Sequence, residues 1–294
     1  MAVSSKAGGS LLNSAVSLAR AGIRAELITE YGKDKAGNII DDFLLENKVG
    51  TSYIARYGSG KTAIALAFLD DTRDADYSFY KQYPRKRLDL QLPVPGEEDI
   101  VLFGSSYSVS DVVHKTIHQW VKKARNNKAL IIYDPNFRKP HLSEIEKVRP
   151  RILDNIHLSH IVRGSDQDFL NIFAIADPFE VIRYLRQNEC RNLIMTRNKE
   201  TVLAWFGNLS STFRVTDVQP MVSTIGAGDA FNAGIVFSIV HDGIYPSDLV
   251  DLSQLKAERM IRTGIGFAAE VCRSPENYIP VDFGNRLKNE PLDH

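Results

Sequence analysis

Apolar residues follow two rhythms along this chain, and the rhythms alternate. Over 11–21, Leu11, Leu12, Ala15, Val16, Leu18 and Ala19 fall on one broad face at helical spacing, which predicts a helix closed by Gly22. The run 23–30 then reads as a strand, and 37–47 as a second helix with Ile39, Ile40, Phe43 and Leu44 inward. Residues 63–69 and 77–80 are β-type runs on either side of the polar stretch 70–74, which predicts a hairpin-like pair. Further strands are predicted at 99–103, 129–133, 161–162, 192–196 and 202–206. Helices are predicted at 110–125, 143–153, 166–173, 179–187, 226–240 and 252–271. Ser143, with Glu146 three residues on, reads as the cap of the 143–153 helix. Strands alternating with helices imply an α/β fold with a parallel sheet covered on both faces. No internal repeat, low-complexity tract or linker rich in Pro, Gly or Ser interrupts the pattern.

Composition narrows the class of function. The chain has 294 residues, with 36 Lys plus Arg against 36 Asp plus Glu, so its formal charge is zero. A dedicated nucleic-acid or membrane-surface binder carries a basic excess, and neither partner is expected here. Cys190 and Cys272 are far apart and in no metal-ligand spacing. No apolar run is long enough to span a bilayer. The start, Met1 to Lys6, lacks the apolar stretch of a signal peptide, so a cytoplasmic protein is expected.

Three stretches carry candidate chemistry. The first is Gly226-Ala227-Gly228-Asp229, at the start of a predicted helix. Small residues there let backbone N–H groups face open space, and a helix start offers unpaired donors and a positive dipole end. Asp229 sits in the first turn, where a carboxylate beside an anion hole can take a proton from a hydroxyl during phosphoryl transfer. The alternative is a tight turn whose Asp only stabilises the helix start. The second stretch is Gly8-Gly9-Ser10-Leu11-Leu12-Asn13, where glycines allow close backbone approach and Asn13 can bond a hydroxylated ligand; a flexible start with a helix cap is the alternative. The third is Asp134-Pro135-Asn136-Phe137-Arg138, at the C-terminal end of a predicted strand, where ligands of open parallel sheets bind. Arg138 there reads as a phosphate contact or as one partner of a loop salt bridge.

Two other motifs are set aside. Gly58-Ser59-Gly60-Lys61-Thr62 ends like a P-loop, but Ala55 stands where its first Gly belongs and a strand is predicted after the Lys. His114 and His118 lie one helical turn apart, but no Glu follows His114 as in a zincin motif.

Taken together and in this order, the glycine pair, the Asp-Pro-Asn-Phe-Arg stretch and the Gly-Ala-Gly-Asp loop resemble the PfkB (ribokinase-like) carbohydrate kinases, especially fructokinase-like members, from Ala7 to Pro280. Gly32-Lys33-Asp34-Lys35-Ala36-Gly37 and Phe103-Gly104-Ser105 fit the same family. The resemblance implies one ribokinase-like domain over 1–294, a three-layer α/β/α sandwich with a mostly parallel sheet and a β lid at about 55–85. It implies transfer of the γ-phosphoryl group of Mg-ATP to a sugar hydroxyl, of fructose or a related ketose. On that analogy Asp229 is the base, and Gly226, Ala227 and Gly228 form the anion hole. Gly8, Gly9, Asn13 and Ser105 meet the sugar, while Asn136, Arg138, Ser165, Asp168 and Thr196 face nucleotide and phosphates. Mg2+ comes with ATP, with Asp168 as a candidate contact. Family members often dimerise through lid strands, which implies a homodimer as one option.

The sequence departs from the family at four places. The family's first strand, with its Gly-Glu and its sugar-holding Asp, has no counterpart ahead of Ala7, and the lid is shortened. The family's Asn-x-x-Glu stands here as Ser165-Asp166-Gln167-Asp168. Its Thr-x-Gly-x-x-Gly stands as Thr196-Arg197-Asn198-Lys199-Glu200-Thr201, without either glycine. Ser223 replaces the Asp that helps bind a monovalent cation, so no K+ dependence is expected. These departures motivate an alternative, a kinase-fold protein that binds sugar or nucleotide without efficient turnover. A nucleoside kinase is a further alternative.

Overall fold

A computed structural model describes residues 5–69, 75–197, 200–215 and 218–289. The predicted turn at 70–74, and Asn198 and Lys199 of the nucleotide stretch, lie outside them. The chain divides into two compact units.

The first unit comprises Met1–Leu92, Val218–Phe237 and Gly266–His294. It contains α1 (Ser10–Arg20), β1 (Thr29–Gly32), α2 (Lys35–Glu46), β2 (Ile54–Tyr57), β3 (Lys61–Leu69) and β4 (Ala75–Gln82). Gly9, at φ 139, caps the start of α1, a backbone state that glycine adopts without strain. Leu12, Val16 and Ala19 of α1 pack with Leu27, Tyr31, Leu44, Val49 and Ile54 in this unit's core. The strand predicted over 23–30 begins later. Residue Glu26 makes only an isolated bridge to Gly50, and the parallel ladder starts at Thr29↔Ile54, where the partner first becomes extended. The short strand β2 had no prediction.

The hairpin expected from the 63–69 and 77–80 runs is present as the antiparallel pair β3–β4. Lys61 opens a strand, which settles against the P-loop reading. Ile64, Phe68 and Tyr80 of this hairpin are more than half exposed. Asp34 ties the hairpin to the start of α2. Its carboxylate accepts from the N–H of Gly37 (2.9 Å), the N–H of Thr62 (2.9 Å) and the hydroxyl of Thr62 (2.7 Å). Those donors, Thr62 N–H first, hold the Asp34 carboxyl down to about 2. A depressed carboxyl contributes stability that is present above its unfolded value near ~4 and lost as pH falls toward ~2. Asp34→Ala is therefore expected to cost about 1–2 kcal/mol at neutral pH, as loss of an N-cap does, and clearly less near pH ~2. Denaturant unfolding at both pH values checks this, and an equal cost at both would contradict it.

The second unit comprises Pro93–Asp217 and Ser238–Ile265. It contains β5 (Ile100–Gly104), α3 (Ser105–Ser108), α4 (His114–Asn126), β6 (Leu130–Asp134), α5 (Ile145–Leu158), β7 (Ile161–Ser165), α6 (Asp166–Phe173), α7 (Pro178–Gln187), β8 (Leu193–Arg197), β9 (Thr201–Phe206) and β10 (Leu209–Arg214). Its six-stranded sheet runs β10-β9-β8-β7-β6-β5. Strands β5 to β8 are parallel, as the alternation predicts, while β9 and β10 close one edge antiparallel. All five residues of β6 are buried. Successive side chains point to opposite faces, so both faces of that strand are covered.

Ser143 does not cap a helix, contrary to the expectation from its spacing to Glu146. Lys139–Glu144 forms a 3-10 helix with Pro140 in its first turn, and α5 follows from Ile145 without a side-chain cap. The chain is already coiled at Ser143, which leaves that residue inside the turn rather than at its mouth. Helices α8 (Ala227–His241) and α9 (Gln254–Cys272) pass from one unit into the other, and α10 (Val281–Asn289) ends the first. Every position of α8 from Asp229 to Ile239 is buried. Among the described residues no helix is long and apolar enough to cross a membrane.

Candidate active site

The first unit brings the glycine pair and the Gly-Ala-Gly-Asp loop together. Gly226 takes φ 84, and a Cβ there would lie 2.1 Å from the Asn277 carbonyl oxygen, so no other residue fits without moving backbone. This turn leads into α8 and places Asp229 in its first helical turn. Asp229 is 6% exposed. The hydroxyl of Ser10 donates to Asp229 Oδ1 at 2.7 Å, and Asn13 Nδ2 donates to Oδ2 at 2.8 Å. Ser14 donates its hydroxyl to the Asp229 carbonyl at 2.8 Å. Residues 10, 13 and 14 share one face of α1 because helical neighbours recur at three and four positions. One face of α1 thus fixes both the carboxylate and the backbone of Asp229.

The loop offers donors of unequal availability. The first N–H groups of a helix have no acceptor within it. The Ala227 N–H turns back to the Thr224 carbonyl at 3.2 Å, which leaves Gly226 and Gly228 as the better anion-hole candidates of the three. Gly8 and Gly9 are exposed beside Asn13.

The second unit gathers the other candidates. Buried Asp134, at the end of β6, pairs with Arg163 of β7 at 3.1 Å. Arg163 also donates to the Thr196 hydroxyl at 3.2 Å. Asp134 Oδ1 accepts from the Asn136 N–H at 3.0 Å, and Asn136 Oδ1 accepts from Arg138 Nε at 3.2 Å. Ser105 follows β5 at φ 55, and its hydroxyl accepts from the Tyr107 N–H at 3.4 Å. Ser105 lies in a different unit from Gly8, Gly9 and Asn13.

Asp168 holds the start of α6. Its Oδ1 accepts from the Phe137 N–H at 2.7 Å, and its Oδ2 from the Ser165 N–H at 2.8 Å and hydroxyl at 2.6 Å. With the Asp168 N–H returning to Ser165 Oγ, this is a capping box at the start of α6. Burial, then the nearby Asp134 charge, pushes the Asp168 carboxyl above the usual carboxylate range. Among the described residues no group of three His, Cys, Asp or Glu side chains could hold a metal. His114 and His118 pack ring to ring, with centroids 5.6 Å apart, and His114 Nδ1 lies 3.0 Å from the Ser108 carbonyl oxygen.

Two participants escaped the sequence reading. Ser10 lies three residues before Asn13 on the same helical face, and that spacing was a usable signal. Asn277 lies in the loop between α9 and α10 and had no local signal at all.

Residues 1–282 match the pfkB family carbohydrate kinases, and the chain belongs to that family. Its members are phosphotransferases with a hydroxyl acceptor, and the fold is the ribokinase-like α/β fold with a mostly parallel central sheet. The chain is 28% identical to the fructokinase of Salmonella typhimurium over 255 residues, 83% of this chain and 80% of that one. It is 26% identical to a probable chloroplastic fructokinase-6 of Arabidopsis thaliana over 267 residues, 89% of this chain and 67% of that one. Among solved structures, the fructokinase from Xylella fastidiosa with bound ATP superposes with a TM-score of 0.77 at 22% identity, covering 96% and 90% of the two chains. The aminoimidazole riboside kinase from Salmonella enterica, complexed with aminoimidazole riboside and an ATP analogue, gives a TM-score of 0.79 at 18% identity, covering 96% and 91%.

Proposed function

We propose that the chain transfers the γ-phosphoryl group of Mg-ATP to a sugar hydroxyl, of fructose or a related ketose, within one kinase domain over 1–294 carrying its lid at about 55–85. The observation that supports this most is the buried Asp229 carboxylate at the start of α8, each oxygen held by a donor from α1. Each carboxylate oxygen carries two acceptor lone pairs, and on this reading Asp229 accepts the acceptor's O–H. Asp229 takes the hydroxyl proton, the hydroxyl oxygen bonds to the γ-phosphorus, and the bond to the ADP oxygen breaks. Backbone N–H groups of the Gly226-Ala227-Gly228 turn, those of Gly226 and Gly228 before that of Ala227, oppose the charge on the transferring group. Gly8, Gly9, Asn13 and Ser105 serve the sugar. Asn136, Arg138, Ser165 and Thr196 serve the nucleotide, with Arg138 as the phosphate cation. Fructokinases whose structures hold ATP, or fructose with ADP and calcium, share the fold and support this reading.

Mg2+ enters with the nucleotide, since it keeps several waters and binds largely through phosphates. Asp168 acts on this view through the capping box. Asp168→Asn turns an amide N–H2 toward buried donors and is expected to cost about 1–3 kcal/mol of stability. The half-saturating Mg2+ concentration should stay within about twofold of wild type, an effect below ~0.5 kcal/mol. Thermal unfolding and a Mg2+ titration check both parts. Unchanged stability with a tenfold higher Mg2+ requirement would make Asp168 a metal contact instead.

The exposed apolar side chains of the β3–β4 hairpin support a homodimer through that surface, the balanced charge supports small-molecule partners, and on this reading the protein is cytoplasmic. A second reading, binding without efficient turnover, is favoured by Thr201, which opens β9 where the family places a glycine. ADP release measured against a panel of ketoses, aldoses and nucleosides separates the readings. Turnover with a ketose supports the first, turnover with nucleosides alone would move the substrate class, and binding without ADP release would establish the second.

A further inference from the structure

Asn13 is 4% exposed, and its amide can face only one way. A carboxylate accepts hydrogen bonds and donates none, so Nδ2 must be the atom 2.8 Å from Asp229 Oδ2. That leaves Asn13 Oδ1 on the opposite side. It is buried and has no hydrogen-bond partner among the described residues. A buried acceptor without a donor is rare in folded proteins and asks for a missing partner.

The space beside that atom opens at Gly8, which is exposed. Apart from its chain neighbours, a methyl-sized group on Gly8 would meet two atoms within 4 Å among the described residues, Asn13 Oδ1 at 3.9 Å and Asn277 Nδ2 at 3.8 Å. The notch therefore has an acceptor on one wall and a donor on the other. Asn277 is held there by its backbone, whose carbonyl packs on Gly226. The notch and the Asp229 loop share this support, and all of these residues lie in the first unit.

A hydroxyl matches the chemistry of both walls, because it can donate to Asn13 Oδ1 and accept from Asn277 Nδ2. A phosphate dianion or a carboxylate has no proton for Asn13, an ammonium has no lone pair for Asn277, and a methyl satisfies neither. We propose that Asn277 is a specificity-determining residue of the acceptor site, and that with Asn13 it reads one hydroxyl of the sugar over Gly8, distinct from the hydroxyl that Asp229 deprotonates. The inference rests on the sugar-kinase reading and adds to it a residue and a selection rule.

The test is steady-state kinetics on the full chain with the best sugar of the panel and its monodeoxy analogues. Wild type is compared with Asn277→Leu, which removes the donor, and Asn277→Asp, which keeps the shape while removing it. Both variants are expected to raise KM for the sugar about 10- to 100-fold, as loss of a buried polar contact to substrate does. The change in kcat should stay within about threefold and KM for ATP should not move, the signature of lost acceptor binding. One monodeoxy analogue should bind wild type as weakly as the parent sugar binds Asn277→Leu, with no further loss when both changes are combined. An unchanged sugar KM in both variants, or losses that add, overturns the notch while leaving the kinase reading intact. Absence of turnover by wild type on every acceptor overturns the kinase reading, and the notch with it.

Discussion

Asp229→Asn is expected to lower kcat for sugar phosphorylation by about 10²- to 10⁴-fold, the contribution typical of a positioned general base. The substitution keeps the shape of the side chain and removes its basicity. Ser10 can still donate to the amide oxygen, so the local geometry is largely retained. Asn13 Nδ2, however, then meets an amide N–H2 in place of Oδ2. That mismatch is expected to cost about 1–3 kcal/mol of stability, too little to unfold a domain of ordinary stability. Circular dichroism and thermal unfolding should therefore show a folded variant whose catalytic defect far exceeds its loss of stability. The KM values should change much less than kcat, because the proton transfer belongs to the transition state.

Gly226→Ala is expected to damage both fold and activity. At φ 84 an alanine is strained before any contact is considered. Its Cβ would also lie 2.1 Å from the carbonyl oxygen and 2.7 Å from the carbonyl carbon of Asn277. These are backbone atoms, which cannot swing aside as the tip of a long side chain can. Left-handed strain alone costs about 1–3 kcal/mol, and the clash adds to it. The loss should be about 3 kcal/mol or more, or roughly 10 °C in melting temperature for a domain of this size. Because the same turn sets the first N–H groups of α8, surviving folded protein should also lose activity. Gly243 provides the control, since its φ is 57 but a Cβ there would meet nothing within 4 Å. Gly243→Ala should cost only the strain. Equal stability loss in the two variants would contradict the close packing at Gly226.

The legible parts of the fold were those with strong periodic burial. The helices near 11–21 and 166–173 emerge as α1 and α6 within a residue of their predicted ends. The edge strand β10 was missed because Ser210, Ser211 and Thr212 leave only Phe213 fully buried, so the alternation is faint. The helix α10, rich in charge and buried only at Gly284, offered little more. In the site, Asp229 and Asn13 could be found from motif and spacing because the glycines before each mark a helix start. The pairing of Asn13 with Asp229, 216 residues apart, is a tertiary contact that no local pattern encodes. Ser165 and Asp168 stand at capping-box spacing, so this local role was legible in the sequence.

The most direct measurement is phosphorus NMR of the wild-type chain with Mg-ATP and fructose or a related ketose. The expected result is a new sugar monophosphate resonance growing one for one with ADP, absent without sugar and slowed by orders of magnitude in Asp229→Asn. Equal ADP formation with and without sugar, or a sugar phosphate formed equally fast by Asp229→Asn, would contradict transfer to a sugar hydroxyl with Asp229 as base.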